Sequence, residues 1–166
     1  MAKKLAKTPA KTTRATQVLD KAGLRYSLHA YEYDPEAPRI GLQAAEALGV
    51  APDRVLKTLM AAVDGRTVCL LVASDKEVAM KRVAAAFSGK AAAMLKPADA
   101  ERLTSYHVGG ISPLGQKRVF PTAIDAGSLS DPTAGIHING GGRGLQIRLT
   151  EADLVAALAA LVVPLT

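Results

Sequence analysis

Tryptophan is absent from this chain of 166 residues, and phenylalanine and tyrosine together make up only 4% of it. The core must therefore be aliphatic and alanine-rich, within an apolar fraction of 49% that is ordinary for a soluble globular protein. The single cysteine, Cys69, lies in the apolar run Val-Cys-Leu-Leu-Val. One cysteine excludes an internal disulfide and a thiolate cluster, and its setting predicts a core thiol in a cytoplasmic protein. No apolar run approaches the roughly 20 residues of a membrane span, and the N-terminus lacks the apolar stretch of a signal peptide. The histidines, His29, His107 and His137, are dispersed, so neither a metal site nor a cofactor is expected.

Charge is unevenly placed. Residues 1–14 hold Lys3, Lys4, Lys7, Lys11 and Arg14 and no acid, which accounts for five of the six net positive charges. The remaining chain, with sixteen bases against fifteen acids, is close to neutral. This predicts a basic, disordered extension over residues 1–12 and one domain over 13–166. The extension reads either as a non-specific RNA contact or as a solubilising tail.

Thr13 is placed to cap a helix over 14–22, closed by Gly23. Residues 24–31 alternate as a strand, and 41–48 form a short helix before Gly49. Val55–Val63 and Thr67–Ala73 read as strands joined by an Asp64-Gly65 hairpin turn. Ser74 with Glu77 has capping-box spacing for a helix over 78–87. A short strand near 91–96, a helical turn from Pro97 to Leu103, strands at 119–124, 135–139 and 145–149, and a helix over 151–161 complete the chain. This order is not regular βαβ alternation, so the expected class is α+β: a mixed sheet, curled or barrel-like, with helices outside.

Two features carry candidate chemistry. Residues 106–118, Tyr-His-Val-Gly-Gly-Ile-Ser-Pro-Leu-Gly-Gln-Lys-Arg, combine glycines, a proline and two cations. Glycine lets a backbone approach an incoming oxygen where a Cβ would intrude, so the stretch suits an acyl or phosphate oxygen; a plain connecting loop is the other reading. Lys57 stands in a strand that is apolar on both faces. A buried lysine needs a partner or a purpose, unless it snorkels from the strand end. The glycine loops match neither a P-loop nor a dinucleotide fingerprint, and Ser112 is not in a nucleophile elbow. What remains is a site with a lysine, a tyrosine and glycine backbone donors.

Gly109-Gly-Ile-Ser-Pro-Leu-Gly-Gln-Lys117, Leu56-Lys57-Thr58-Leu59, His29-Ala-Tyr31 and Gly140-Gly-Gly-Arg-Gly144 occur together, in order. Over residues 13–161 this resembles the YbaK/EbsC family of bacterial Cys-tRNA(Pro) deacylases, related to the editing domains of prolyl-tRNA synthetase. The resemblance implies a YbaK-like α+β domain and trans-editing: hydrolysis of cysteine from tRNA(Pro), a near-isostere that a small pocket rejects by only a few kcal/mol. It implies Lys57 and Tyr31 as catalytic residues. It implies Gly109, Gly110, Ile111, Ser112 and Pro113 as the loop holding the aminoacyl end. Lys117, Gly141, Arg143 and His29 are implied as further substrate contacts. In this family the substrate's own thiol is the attacking group, which suits a chain without an evident nucleophile. The implied partners are aminoacylated tRNA and prolyl-tRNA synthetase, with monomer and weak dimer both open. Three departures stand out: Gly142 where a lysine is usual, His137 where tyrosine is common, and Asn139 where serine is. An editor of another small aminoacyl group such as alanine, and a non-catalytic tRNA- or synthetase-binding module, are the alternatives.

Overall fold

A computed structural model describes residues 12–166 of the chain. The basic extension expected from the sequence lies, apart from Thr12, outside the described residues. Five helices and eight strands follow one another as α1 (Arg14–Ala22), β1 (Ser27–Ala30), α2 (Ile40–Leu48), β2 (Leu56–Val63), β3 (Arg66–Ala73), α3 (Met80–Ala86), β4 (Ala92–Met94), α4 (Pro97–Thr104), β5 (Thr122–Asp125), β6 (Gly135–Asn139), β7 (Leu145–Thr150), α5 (Glu151–Leu158) and β8 (Leu161–Val163).

Local signals account for several boundaries. The Thr13 hydroxyl accepts from the Thr16 N–H while the Thr16 hydroxyl takes the Thr13 N–H, and Gly23 closes α1 in the left-handed region. Asp64 and Gly65 both have positive φ, as the tight turn between β2 and β3 demands. Thr150 caps α5 by accepting from the Asp153 N–H.

The strands form two sheets rather than a closed barrel. An antiparallel sheet runs β1-β7-β6, and a mixed one runs β4-β2-β3-β5-β8. In the latter, β2 is antiparallel to β3 and β4, while β5 is parallel to β3 and β8. The main core joins the sheets: Leu56, Met60, Cys69, Leu71 and Ile124 meet Ile136, Ile138, Ile147 and Leu149, with α1 and α5 adding Leu19 and Leu154. The opposite face of the mixed sheet buries Ala61, Val63, Val68 and Leu70 with Val83 of α3. Both faces of β2 and β3 are thus covered, which is why their sequences are apolar throughout.

Three expectations need correction. The Ser74–Glu77 box does not form: the Ser74 hydroxyl donates to the Pro52 carbonyl at 2.7 Å, and α3 starts at Met80 without a side-chain cap. The strand expected over 119–124 begins only at Thr122, and Val119 is almost wholly exposed. The last helix ends at Leu158, with Ala159 at positive φ; Leu161–Val163 then leaves as β8 to pair with β5. A three-residue strand carries too little periodicity to be seen beside a helix.

Candidate active site

The outer edge of β2 changes partner along its length. At its start, Val55 makes a parallel bridge to His137 of the antiparallel sheet. From Ala61 onward it pairs with β4. Between these points no strand among the described residues lies beside the edge, and a cavity of about 250 Å³ opens there. Leu56, Lys57, Thr58 and Leu59 line one wall, Asn139 and Gln146 the antiparallel sheet's side, Val108, Gly109 and Ile111 the first glycine loop, and Tyr31, Gly41 and Ala44 the remainder. Four of the residues marked in the sequence, Lys57, Tyr31, Gly109 and Ile111, therefore share one cavity.

The Lys57 side chain is 20% exposed, and its Nζ lies 3.3 Å from Oε1 of Glu77, itself 90% exposed. Such a pair is worth little in water, so it leaves the ammonium available to a ligand. Lys57 is half-buried, with its stem passing Gly41 of α2. Tyr31 follows β1, where its N–H donates to the Gly144 carbonyl at 2.9 Å, and its side chain is buried against Ala44, Ala45 and Val55. Burial first, and then Tyr33, push its phenol above the ordinary range, against donors from Gly144 and Gln146. It stays a neutral hydroxyl, able to donate and accept.

The glycine loops are fastened to each other. Asn139 Nδ2 donates to the Gly109 carbonyl at 3.1 Å, and its Oδ1 accepts from Gly141 and Gly142 N–H at 2.8 and 3.2 Å. Arg143 Nε donates to the Val108 carbonyl at 2.9 Å, and its guanidinium lies over the Tyr33 ring, 5.5 Å from the centroid. The Gly110 N–H is taken by the His107 carbonyl. Among the described residues this leaves Gly109, at φ +89, as the glycine of the pair whose N–H has no protein acceptor. A Cβ there would strike the Tyr33 hydroxyl, so the backbone can sit this close only as glycine.

Other marked residues lie elsewhere. Ser112 is fully buried, and its hydroxyl accepts from Leu114 N–H, holding the turn. Pro113 lines a separate small cleft with Phe120 and Leu158. Lys117 is exposed outside the cavity. Gly110, Gly141 and Arg143 form the far side of the glycine wall. His29 sits behind the cavity, bonded to Ser27 and edge-on to His137 at 5.3 Å. Burial and then Arg148 lower the pKa of His29, and burial, His29 and the nearby arginines bring His137 down to about 4. Cys69 is buried and its thiol is pushed up to about 12, chiefly by burial, so it carries no thiolate.

Gln146 and Tyr33 carried no sequence signal of a site, and Thr58 none beyond its place beside Lys57 in the Leu56–Leu59 segment. Gln146 is 4% exposed, and neither its Oε1 nor Thr58 Oγ1 has a hydrogen-bond partner among the described residues. Two unpaired acceptors on one cavity are costly unless a ligand donates to them. The one available hint was a glutamine between Leu145 and Ile147 in a buried strand.

Residues 34–157 match the aminoacyl-tRNA editing domain family. The chain belongs to that family. The chain is 33% identical over 159 residues to EbsC of Enterococcus faecalis, named as a candidate Cys-tRNA(Pro)/Cys-tRNA(Cys) deacylase, covering 94% of this chain and 92% of EbsC. It is 35% identical over 81 residues to a proline–tRNA ligase of Geobacillus thermodenitrificans, covering 49% of this chain and 14% of the ligase. Its fold superposes on a crystal structure described as a candidate trans-editing enzyme for prolyl-tRNA synthetase, with a TM-score of 0.76 at 22% identity over 92% of this chain and 94% of the other. No helix among the described residues is long and apolar enough to cross a membrane.

Proposed function

We propose that this editing domain is a deacylase that removes cysteine from mischarged tRNA(Pro), with the aminoacyl-adenosine end held in the Lys57 cavity. The observation that carries the reading is the meeting of Lys57, Tyr31 and the Gly109 backbone on one cavity with two unpaired acceptors. At about 250 Å³ the cavity is below the roughly 300–1,000 Å³ of pockets for larger ligands, which suits a small aminoacyl group. Thr58 Oγ1 and Gln146 Oε1 suit the α-ammonium group, whose protons they would receive. The Tyr31 hydroxyl suits a ribose hydroxyl, and Lys57 suits either the terminal phosphate or the developing oxyanion.

The protein's cysteine is a poor nucleophile here, being deep in the core and protonated. In the proposed step the substrate's thiol sulfur attacks its own ester carbonyl. The C–S bond forms and the bond to the ribose 3′-oxygen breaks. The thiol proton passes to that oxygen, and a cyclic thioester leaves to be hydrolysed by water. The cavity's contribution is to hold sulfur and carbonyl in reacting geometry while Lys57 stabilises the oxyanion. Phosphate contacts carry no sequence information, so selection of tRNA(Pro) falls to prolyl-tRNA synthetase acting as partner.

The test is hydrolysis of Cys-tRNA(Pro) beside Ala-tRNA(Pro). Wild type is expected to clear the cysteinyl ester far faster, and Lys57→Ala to lower kcat/KM by about 10²–10³, the scale of one lost oxyanion donor. Equal rates on the two esters would refute thiol assistance, full activity of Lys57→Ala would refute its role, and rates no better than buffer would end the deacylase reading.

A further inference from the structure

The glycine wall has a second side. Behind Gly110, Gly141 and Gly142 lies a cleft of about 540 Å³, with Arg143 and Arg14 among its walls. Arg14 also belongs to the next cleft, about 600 Å³, which runs along α1 past Lys21 to Gly115. Val18 and Gly115 are shared in turn with a third cleft that ends at Arg118. The three are one groove around α1. Its floor is tight because the backbone of Arg14 rests on Gly115, which has φ +70 and no room for a Cβ.

Four cations, Arg143, Arg14, Lys21 and Arg118, mark this groove from the glycine wall to its far end. Of the nearby acids, Asp20 lines the second cleft and accepts from the Tyr26 hydroxyl at 2.8 Å, and Glu101 accepts from Val108 N–H at 2.8 Å. Thr12 lines the groove's first cleft, so the segment bearing Lys3, Lys4, Lys7 and Lys11 joins the domain at this point. Outside these four cations, residues 13–166 hold thirteen bases against fifteen acids. Among the described residues no acid forms an ion pair with these exposed cations, and a row of unpaired cations is what a phosphate backbone requires.

We propose that this groove is the RNA-backbone track of the domain: it takes phosphates of the tRNA next to its aminoacylated end, in line with the cavity across the glycine wall. The inference rests on the deacylase reading for the identity of the RNA, but its test does not depend on hydrolysis. Binding of uncharged tRNA is measured as a function of salt for the full chain, for Lys21→Gln/Arg118→Gln, and for Lys81→Gln/Lys90→Gln, which removes the same charge from exposed positions outside the groove. Each phosphate neutralised contributes about 0.7–0.9 to the slope of log affinity against log salt. The groove variant is expected to lose roughly 1.4–1.8 from that slope and to bind roughly 25–60-fold more weakly at 0.1 M salt. The control pair is expected to retain the wild-type slope. An unchanged slope in the groove variant, or an equal loss in the control pair, overturns the track. A groove effect without deacylation of any ester would remove the deacylase reading and leave the track standing.

Discussion

Replacing Asn139 by alanine tests whether the two glycine loops act as one wall. The side chain makes three hydrogen bonds, to the Gly109 carbonyl and to the Gly141 and Gly142 N–H groups, at 2.8–3.2 Å. Each is worth about 1 kcal/mol net, and water reaches part of a half-buried site, so the total loss is about 2 kcal/mol. For a domain of this size each kcal/mol lowers Tm by about 2–4 °C, which predicts a fall of about 4–8 °C. The catalytic effect should be larger than the stability effect suggests. Gly109 is a cavity wall, and a displacement of about 1 Å at a positioning group can cost up to about 100-fold. A loss of about 10–100-fold in kcat/KM for Cys-tRNA(Pro) is expected in Asn139→Ala. Asn139→Asp separates the two loops: it keeps the acceptor for Gly141 and Gly142 but sets a carboxylate against the Gly109 carbonyl. Its Tm should recover in part while its activity does not. The assays are thermal unfolding by circular dichroism and deacylation at saturating and limiting substrate. If Asn139→Ala keeps its Tm within about 1 °C and its kcat/KM within about twofold, the loops do not depend on this side chain and the reasoning is refuted.

Two further outcomes follow from the same geometry. Gly109→Ala should cost roughly 1–3 kcal/mol, because φ +89 is strained for any other residue and the new Cβ meets the Tyr33 hydroxyl. Adding Tyr33→Phe should restore part of the lost activity, and no recovery in the double variant would show that this contact is not the obstacle. His137 is held neutral, with its pKa brought from 6.5 to about 4, mainly by burial. The unfolded chain therefore binds the extra proton between those values, so the contribution is complete above pH 6.5 and is lost as pH falls toward 4. The full swing is on the order of 3 kcal/mol. His137→Gln should flatten urea-derived stability over that window relative to wild type; identical pH profiles would contradict it.

Much of this protein follows from the chain alone, where the determining interactions are local. The ends of α1 are set by Thr13 and Gly23, and the β2–β3 hairpin by Asp64 and Gly65, because caps and turns involve neighbouring residues. Lys57 was conspicuous for the same kind of reason, a cation among apolar strand residues. The Ser74–Glu77 pattern misled because a distant carbonyl, that of Pro52, binds the Ser74 hydroxyl more closely than a helix end could. β8 depended on a partner, β5, nearly forty residues away in sequence, and three residues cannot announce a pairing of that range. The cavity is of the same kind. It exists because the edge of β2 passes from β6 to β4 and is bare between them. That gap brings Thr58, Gln146 and Asn139 to Lys57 and Tyr31, while Ser112 is drawn into the core. Sequence spacing specifies which residues share a strand; only the meeting of two sheets specifies which strands share a cavity.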